Sequence, residues 1–577
     1  MRLKVLAAAA GLMLLGLSSQ GQAAEARPAP KLVIVISVDQ LSSNLYNQYR
    51  PSFTGGLKTL TTEGLVYANG YQTHGATETC PGHSTILTGK HPAKTGIPAN
   101  DWWDRERQAE VYCFYAPQNT LADGGKGDNG PVGPDQMTAT TLGDWMKAGG
   151  GRGRVYAVSG KDRGALALGG HQADGVFWFQ KGFGFTTWVG PGQSAEAKLA
   201  PMAGLNARID ARFKAEPPGW TYRHDQCRKL EGEYRIGGQS WRSTLPPARF
   251  AIENSPVLDE LTLEAATTLL EEQKLGQGDG VDILGVSLSA TDRIGHGFGT
   301  QGPEICEQLL RLDEGLGAFL ARAEELVPGG VIVVLTADHG GSDFPERTVD
   351  RGYPEAGRGD LGMLARVNGV LMARFKLKDP PIAFHEGGLY IEGPKDKPFS
   401  EARRREIATA AVEALRKDPD VAAAYTSEEL LATPPAPAWA EPQDLSVRER
   451  MALSTVAVRS PDIQVALRPG LTFGPGRVGG AISSHGSPWD YDRRVPILFW
   501  WPGAQGQERF MPIRTVDIGP TLAHLLGVAP PADVDGRCLD LGGFAVAACP
   551  APVAAKPAQQ EAPPKSGFRW PWEKPAS

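Results

Sequence analysis

The sequence predicts an α/β fold, a mainly parallel central sheet with helices on both faces and cap-like insertions. Two observations lead there. Short apolar runs bounded by turn residues recur along the chain, as strands buried on both faces require. Amphipathic stretches of helical length lie between several of them.

The runs are residues 31–39 (KLVIVISVD), 154–160 (RVYAVSG), 281–289 (VDILGVSLS), 331–338 (VIVVLTAD) and 494–501 (RVPILFWW). Between them, 261–276 (LTLEAATTLLEEQKLG) and 307–326 (EQLLRLDEGLGAFLARAEEL) have the helical period. A further helix is expected to begin near Pro520, with Asp517 close to its start, because proline is tolerated in a first turn and an acid favours it. The stretches 164–255 and 342–480 are rich in Gly, Pro and Trp, alternate weakly, and are expected to be insertions.

Residues 1–26 have the layout of a signal peptide. A basic start precedes an apolar run from about Val5 to Leu17, then small residues with QAA or AEA as cleavage site. The run is too short for a membrane span, and no later run reaches the roughly 18 apolar residues needed. No Cys follows it, which argues against a lipid anchor. The expected product is periplasmic or secreted, with one large domain over 27–545 and a disordered Pro/Ala-rich tail over 546–577.

With 41% hydrophobic residues the 577-residue chain can bury a large core, and a net charge of -6 argues against a nucleic-acid partner. Six Cys are too few for a disulfide scaffold in this length. In an exported protein some can pair; Cys538 and Cys549 are the nearest two, but six cysteines allow 15 connectivities.

The acids and histidines carry the chemistry. Asp39 ends the first run, and Asp292 and His296 (SATDRIGHG) follow the third. Asp338 and His339 (TADHGG) end the fourth, and His485 (SSHGSP) precedes the last. Ligands of open parallel sheets bind outside the carboxyl ends of the strands, so separated segments deliver O and N donors to one edge. A His/carboxylate set without Cys suits zinc or manganese better than calcium. Six donors are too many for one catalytic ion and point to two. Thr79 and Cys80, adjacent in ATETCPGHSTILTGKHP (76–92), are both possible nucleophiles.

The ordered set VISVDQ, TCPGHSTILTGKHPAKTGIPAN, GKDRGA, SATDRIGHGFG, TADHGG and SSHGSP resembles the alkaline phosphatase superfamily. Within it, the set is most similar to the PafA/PhoK-type bacterial enzymes, relatives of type I phosphodiesterases/nucleotide pyrophosphatases. The resemblance runs from about Lys31 to Leu541. It implies an alkaline-phosphatase-like fold and hydrolysis of small phosphate monoesters. It further implies two zinc ions, one held by Asp292, His296 and His485, the other by Asp39, Asp338 and His339, with Thr79 beside the second. Thr79 would be the nucleophile, forming a phosphothreonine, and Asn100, Lys161 and Arg163 would bind phosphate. Sulfatases of the superfamily use a C-x-P-x-R motif; here Pro81 directly follows Cys80 and Ser84 stands where Arg should, so that reading fails.

The main alternative is a phosphodiesterase or nucleotide pyrophosphatase with the same two-metal site. Lys161 and Arg163 favour the monoester, whose transferred group carries nearly two charges rather than one. A manganese-dependent mutase conflicts with the export signal, and a non-catalytic periplasmic binder of metal or phosphate conflicts with an intact Thr79 and full donor set.

Overall fold

The computed structural model describes residues 27–550 apart from 217–218, 247–251, 361, 386, 395–397, 438, 473 and 475. The expected signal peptide and most of the expected tail lie outside the described residues.

Strands form where aliphatic and β-branched residues run together. Leu32–Val38 (β1), Leu65–Tyr71 (β2), Val155–Ser159 (β3), Gly175–Gln180 (β4) and Gly184–Thr186 (β5) belong to one ten-stranded sheet. Asp282–Leu288 (β6), Val331–Thr336 (β7), Arg494–Trp500 (β8), Gln507–Arg509 (β9) and Ile513–Arg514 (β10) complete it. The order is β9-β2-β8-β7-β1-β6-β3-β4-β5, with β10 also paired to β2. All five apolar runs are therefore strands of this sheet. β1 is buried along its whole length, as a central strand covered on both faces must be.

Register determines what meets at the sheet edge. Parallel pairing sets Ser37 of β1 beside Ser287 of β6 and Thr336 of β7, and Ser287 beside Ser159 of β3. Asp39, Asp292, Asp338 and Lys161 follow those four residues within five positions, so they emerge at one edge. β8 departs from the parallel pattern, pairing antiparallel with β7 and β2. Its leading loop, which carries His485, therefore arrives at the carboxyl edge of the others. Gly340 N donates to Asp492 O at 2.6 Å across that junction.

The helices used below are Thr79–Thr88 (α1), Asp162–Gly169 (α2), Val257–Glu272 (α3), Ala290–Phe298 (α4), Pro303–Leu326 (α5) and Ile518–Leu525 (α6). α3 and α5 begin four residues earlier than their periodic pattern predicts. α5 opens on Pro303, whose fixed φ suits a first helical position. Asp313, on α5, accepts from the backbone N–H groups of Thr54, Gly55, Leu57 and Lys58 at 2.6–3.2 Å, capping the helix Gly56–Glu63 through tertiary contact.

The sheet reaches further into the chain than expected. Residues 164–189, at the start of an expected insertion, supply most of α2 and all of β4 and β5. β4 (GVFWFQ) is short and opens on Gly, so it lacks the long aliphatic run that marked the others. Within 342–480, a separate antiparallel sheet orders Ile382–His385, Gly388–Ile391, Ile463–Leu467 and Val421–Thr426. Packed with it are Gly362–Phe375 and Glu401–Leu415, sharing a small core that includes Val367, Leu371, Ile407 and Ile463.

All six cysteines pair, as Cys80–Cys113, Cys227–Cys306 and Cys538–Cys549. Among the described residues no helix is long and apolar enough to cross a membrane.

Burial pushes the His91 pKa down to about 4. Below about 6.5 the unfolded chain binds a proton there that the folded chain refuses, so stability is lost as pH falls from about 6.5 toward 4. Urea melts of wild type and His91→Gln should diverge across that window, wild type losing about 1.4 kcal/mol more per pH unit. Parallel pH dependence of the two proteins would contradict this account.

Candidate active site

Asp39, Asp338 and His339 are fully buried, and Asp292 is 3% exposed. His339 Nε2 lies 3.4 Å from both Asp39 Oδ1 and Asp338 Oδ2. Asp39 Oδ1 and His339 Nε2 have no hydrogen-bond partner, and Asp338 Oδ2 is met only by His83 Nδ1 at 3.0 Å. Beside them, Asp292 Oδ1, His296 Nε2 and His485 Nε2 stand 3.1–3.3 Å apart. Donors around a tetrahedral ion at about 2.0–2.2 Å are separated by about 3.3–3.6 Å. Both sets therefore fit a divalent ion of the zinc type, which would satisfy the orphaned buried atoms. The His339 and His485 rings stack at 3.7 Å, so the two sets share a wall.

The donors are held from behind, which fixes the tautomer presented to an ion. His296 Nδ1 pairs with Ser483 O, His485 Nδ1 with Thr77 O and His339 Nδ1 with Gly340 O, at 2.8–2.9 Å. Burial, then the neighbouring His485, holds the His339 pKa well below the usual range, so the ring is neutral. Asp39 is raised by burial and by the charges of Asp292 and Asp338. Burial pushes Asp292 up as well but is outweighed, and Lys161 and His296 hold it well below the usual carboxylate value.

Thr79 is the first residue of α1 and is 1% exposed. A Cβ on Gly82 would lie 2.0 Å from Asp338 O, so only glycine lets the first turn of α1 seat against Asp338. His83 closes the contact, its Nδ1 standing 3.0 Å from both Thr79 O and Asp338 Oδ2 while Nε2 meets Ser287 Oγ at 2.9 Å. Asn100 Oδ1 accepts from Cys80 N at 2.8 Å, which directs its NH2 group elsewhere. Glu78 Oε2 accepts from Asn100 N at 2.7 Å. Cys80 is consumed in its disulfide to Cys113, whose N–H donates to Asn100 O at 2.9 Å.

Lys161 Nζ is 2.5 Å from Asp39 Oδ2 and 2.6 Å from Asp292 Oδ2, standing between the two sets. Arg163 lies on the first turn of α2, and its Nε is buried without a partner. Asp162 between them accepts from Tyr112 OH at 2.6 Å and Asn129 Nδ2 at 2.9 Å, anchoring the turn. The structure thus brings the six donors, Thr79, Asn100 and Lys161 to one sheet edge, with Arg163 on the turn beside them.

Gln40, His83 and Glu78 escaped the sequence reading. Gln40 occupies the left-handed region at φ 66°. Its Nε2 donates to Asp292 Oδ1 at 3.0 Å and its N to Asp338 Oδ1 at 3.2 Å, stitching the two sets together. Gly295 and Gly341 leave room for it, since a Cβ on either would come within 2.8 Å of its side chain. Each residue stood inside a quoted motif, but no spacing rule distinguished it from its neighbours.

A fold and edge of this kind suit a phosphatase, and comparison with known proteins agrees. A family profile described as type I phosphodiesterase / nucleotide pyrophosphatase matches residues 33–487, and the chain belongs to that family. Alkaline phosphatase PhoK of Sphingomonas is 38% identical over 528 residues, covering 89% of this chain and 91% of that one. Alkaline phosphatase PhoD of Zymomonas mobilis is 38% identical over 532 residues, covering 90% and 89%. The crystal structure of alkaline phosphatase PafA matches with a TM-score of 0.75 at 25% identity, covering 89% of this chain and 99% of that one. Within the family, this protein is an alkaline phosphatase of the PafA/PhoK type.

Gly82→Ala should cost about 1–3 kcal/mol in stability from overpacking and lower phosphatase kcat/KM by about 100-fold through misplacement of Thr79. Gly369→Ala, with nothing within 4 Å of the added carbon, is the control. Equal activity in the two variants would disprove the seating of α1 on Asp338.

Proposed function

We propose that this protein is an exported phosphomonoesterase in which Thr79 carries the phosphoryl group between two displacement steps at a two-metal site. The observation that supports this reading is the convergence of two donor sets, Thr79 and a cationic pair at one sheet edge. Asp39, Asp338 and His339 would hold one ion beside Thr79, and Asp292, His296 and His485 the other. Zinc is the ion this donor chemistry favours, with manganese the alternative. When bound, such ions lower the pKa of an attached hydroxyl or water and offset charge on the attacking and leaving oxygens.

The chain's own residues do the rest. Thr79 Oγ attacks phosphorus in line as the bond to the alcohol oxygen breaks, giving phosphothreonine and the free alcohol. Water then attacks that phosphorus from the vacated side, the Thr79 Oγ–P bond breaks, and inorganic phosphate leaves with the hydroxyl restored. Seated at the start of α1, Thr79 delivers the phosphoryl group to a helix N-terminus, which favours anions. Asn100, Lys161 and Arg163 orient and neutralise the non-bridging oxygens. A monoester presents nearly two negative charges to these donors and a diester one, so the pair favours the monoester.

Export is supported by the layout of the first 26 residues and by the pairing of all six cysteines, which suits an oxidising compartment.

The test is the ratio of kcat/KM for an aryl phosphate monoester to that for its diester. Wild type should strongly favour the monoester, and replacing Lys161 and Arg163 by Ala should cut monoester turnover by at least about 100-fold, diester turnover far less. Thr79→Ala should retain about two ions per chain by elemental analysis while losing turnover. A wild-type preference for the diester would instead make the protein a phosphodiesterase at the same site.

A further inference from the structure

A narrow cavity shares the Lys161–Arg163 turn with the site just described, yet its walls include none of the six metal donors, nor Thr79, nor Asn100. Gln180 and the glycine-rich loop around Asn129 close one side, and Arg293 contributes a third cation. Arg293 follows Asp292 on α4, so the cavity adjoins the donor cluster by one residue of chain.

Arg293 has no use in the fold that would account for its placement. Its Nε is buried without a hydrogen-bond partner, and its guanidinium makes no ion pair among the described residues. Arg163 Nε is in the same condition. Of the two acids on the walls, Asp162 is committed to Tyr112 and Asn129, and Asp128 is exposed. Lys161 is already paired with Asp39 and Asp292, so Arg293 is the wall cation left without a counter-group, beside a buried carboxylate that is itself occupied. A partly buried guanidinium without a counter-group is costly, and its planar fork matches a carboxylate or phosphate.

We propose that this cavity is a subsite for a second anionic group on the substrate, a carboxylate or a phosphate, with Arg293 as its specificity-determining residue. The preferred substrates are short phosphate monoesters whose alcohol carries that group, because the subsite shares Lys161 and Arg163 with the transferred phosphoryl group. The proposal rests on the monoesterase reading above.

Three short monoesters test it: ethyl phosphate with no second anion, phosphoglycolate with a carboxylate, and ethylene glycol bisphosphate with a phosphate. Wild type should turn over at least one anionic ester with kcat/KM about tenfold above ethyl phosphate, a ratio equivalent to one charge-assisted contact. Arg293→Gln should bring that ratio to about one while leaving ethyl phosphate turnover and Tm near wild type, and Arg293→Lys should restore part of it. A wild-type ratio of one, or equal loss on all three esters in Arg293→Gln, would overturn the proposal. Should no monoester be cleaved, the monoesterase reading fails by itself. Calorimetric titration of Thr79→Ala with phosphoglycolate and ethyl phosphate then decides the subsite: tighter, Arg293-dependent binding of phosphoglycolate supports it, and equal binding removes it.

Discussion

The structure is organised around three carboxylates that cannot comfortably coexist. Asp39, Asp292 and Asp338 are buried together because the strands preceding them are hydrogen-bonded neighbours in matching register. In a low-dielectric interior each opposes the ionisation of the others, and Asp39 is raised by burial and by both partners. Lys161, His83 and His485, whose pKa Asp292 raises to about 9 against burial, supply compensating charge from the protein itself. The neighbouring elements hold this crowded edge in place.

That maintenance has a local cost. Gln40 accepts a left-handed backbone conformation, unfavourable for a residue with a side chain, so that one amide reaches Asp292 while its backbone reaches Asp338. Gly295 and Gly341 give up side chains to admit it. On the other flank, Gly82 brings α1 against Asp338, and His83 ties the Thr79 carbonyl to the same carboxylate. Glu78, Asn100 and the Cys80–Cys113 disulfide then join the first turn of α1 to the strand Asp101–Asp104. Positioning passes through contiguous hydrogen bonds and one covalent link rather than through flexible loops, as preorganised catalysis needs.

The separate sheet within 342–480 reaches the same region. A Cβ on Gly387 would lie 2.8 Å from Asp101 O, and the His385 ring stacks on Trp103 at 3.9 Å. His385 also meets Glu392 at 2.8 Å. This hairpin therefore packs on the strand that follows Asn100, so part of the expected insertion lies beside that residue.

Much of the site could be read from the chain because its chemistry is local. A buried parallel strand must be apolar, so a carboxylate immediately after such a run announces an edge position, as Asp39 and Asp338 do. Element type follows from period and turn residues within a window of a few residues, and the start of α6 just before Pro520 obeys the same local rule. Adjacency between distant segments has no such signature. Only the folded chain decided that β8 runs antiparallel and so delivers His485, that the cysteines pair as they do, and that Gln40 and His83 stand behind the donors. The isolation of Arg293 belongs with these, since it depends on what fails to approach it. Each depends on contacts between residues tens to hundreds of positions apart, which packing and register create and which no local pattern encodes.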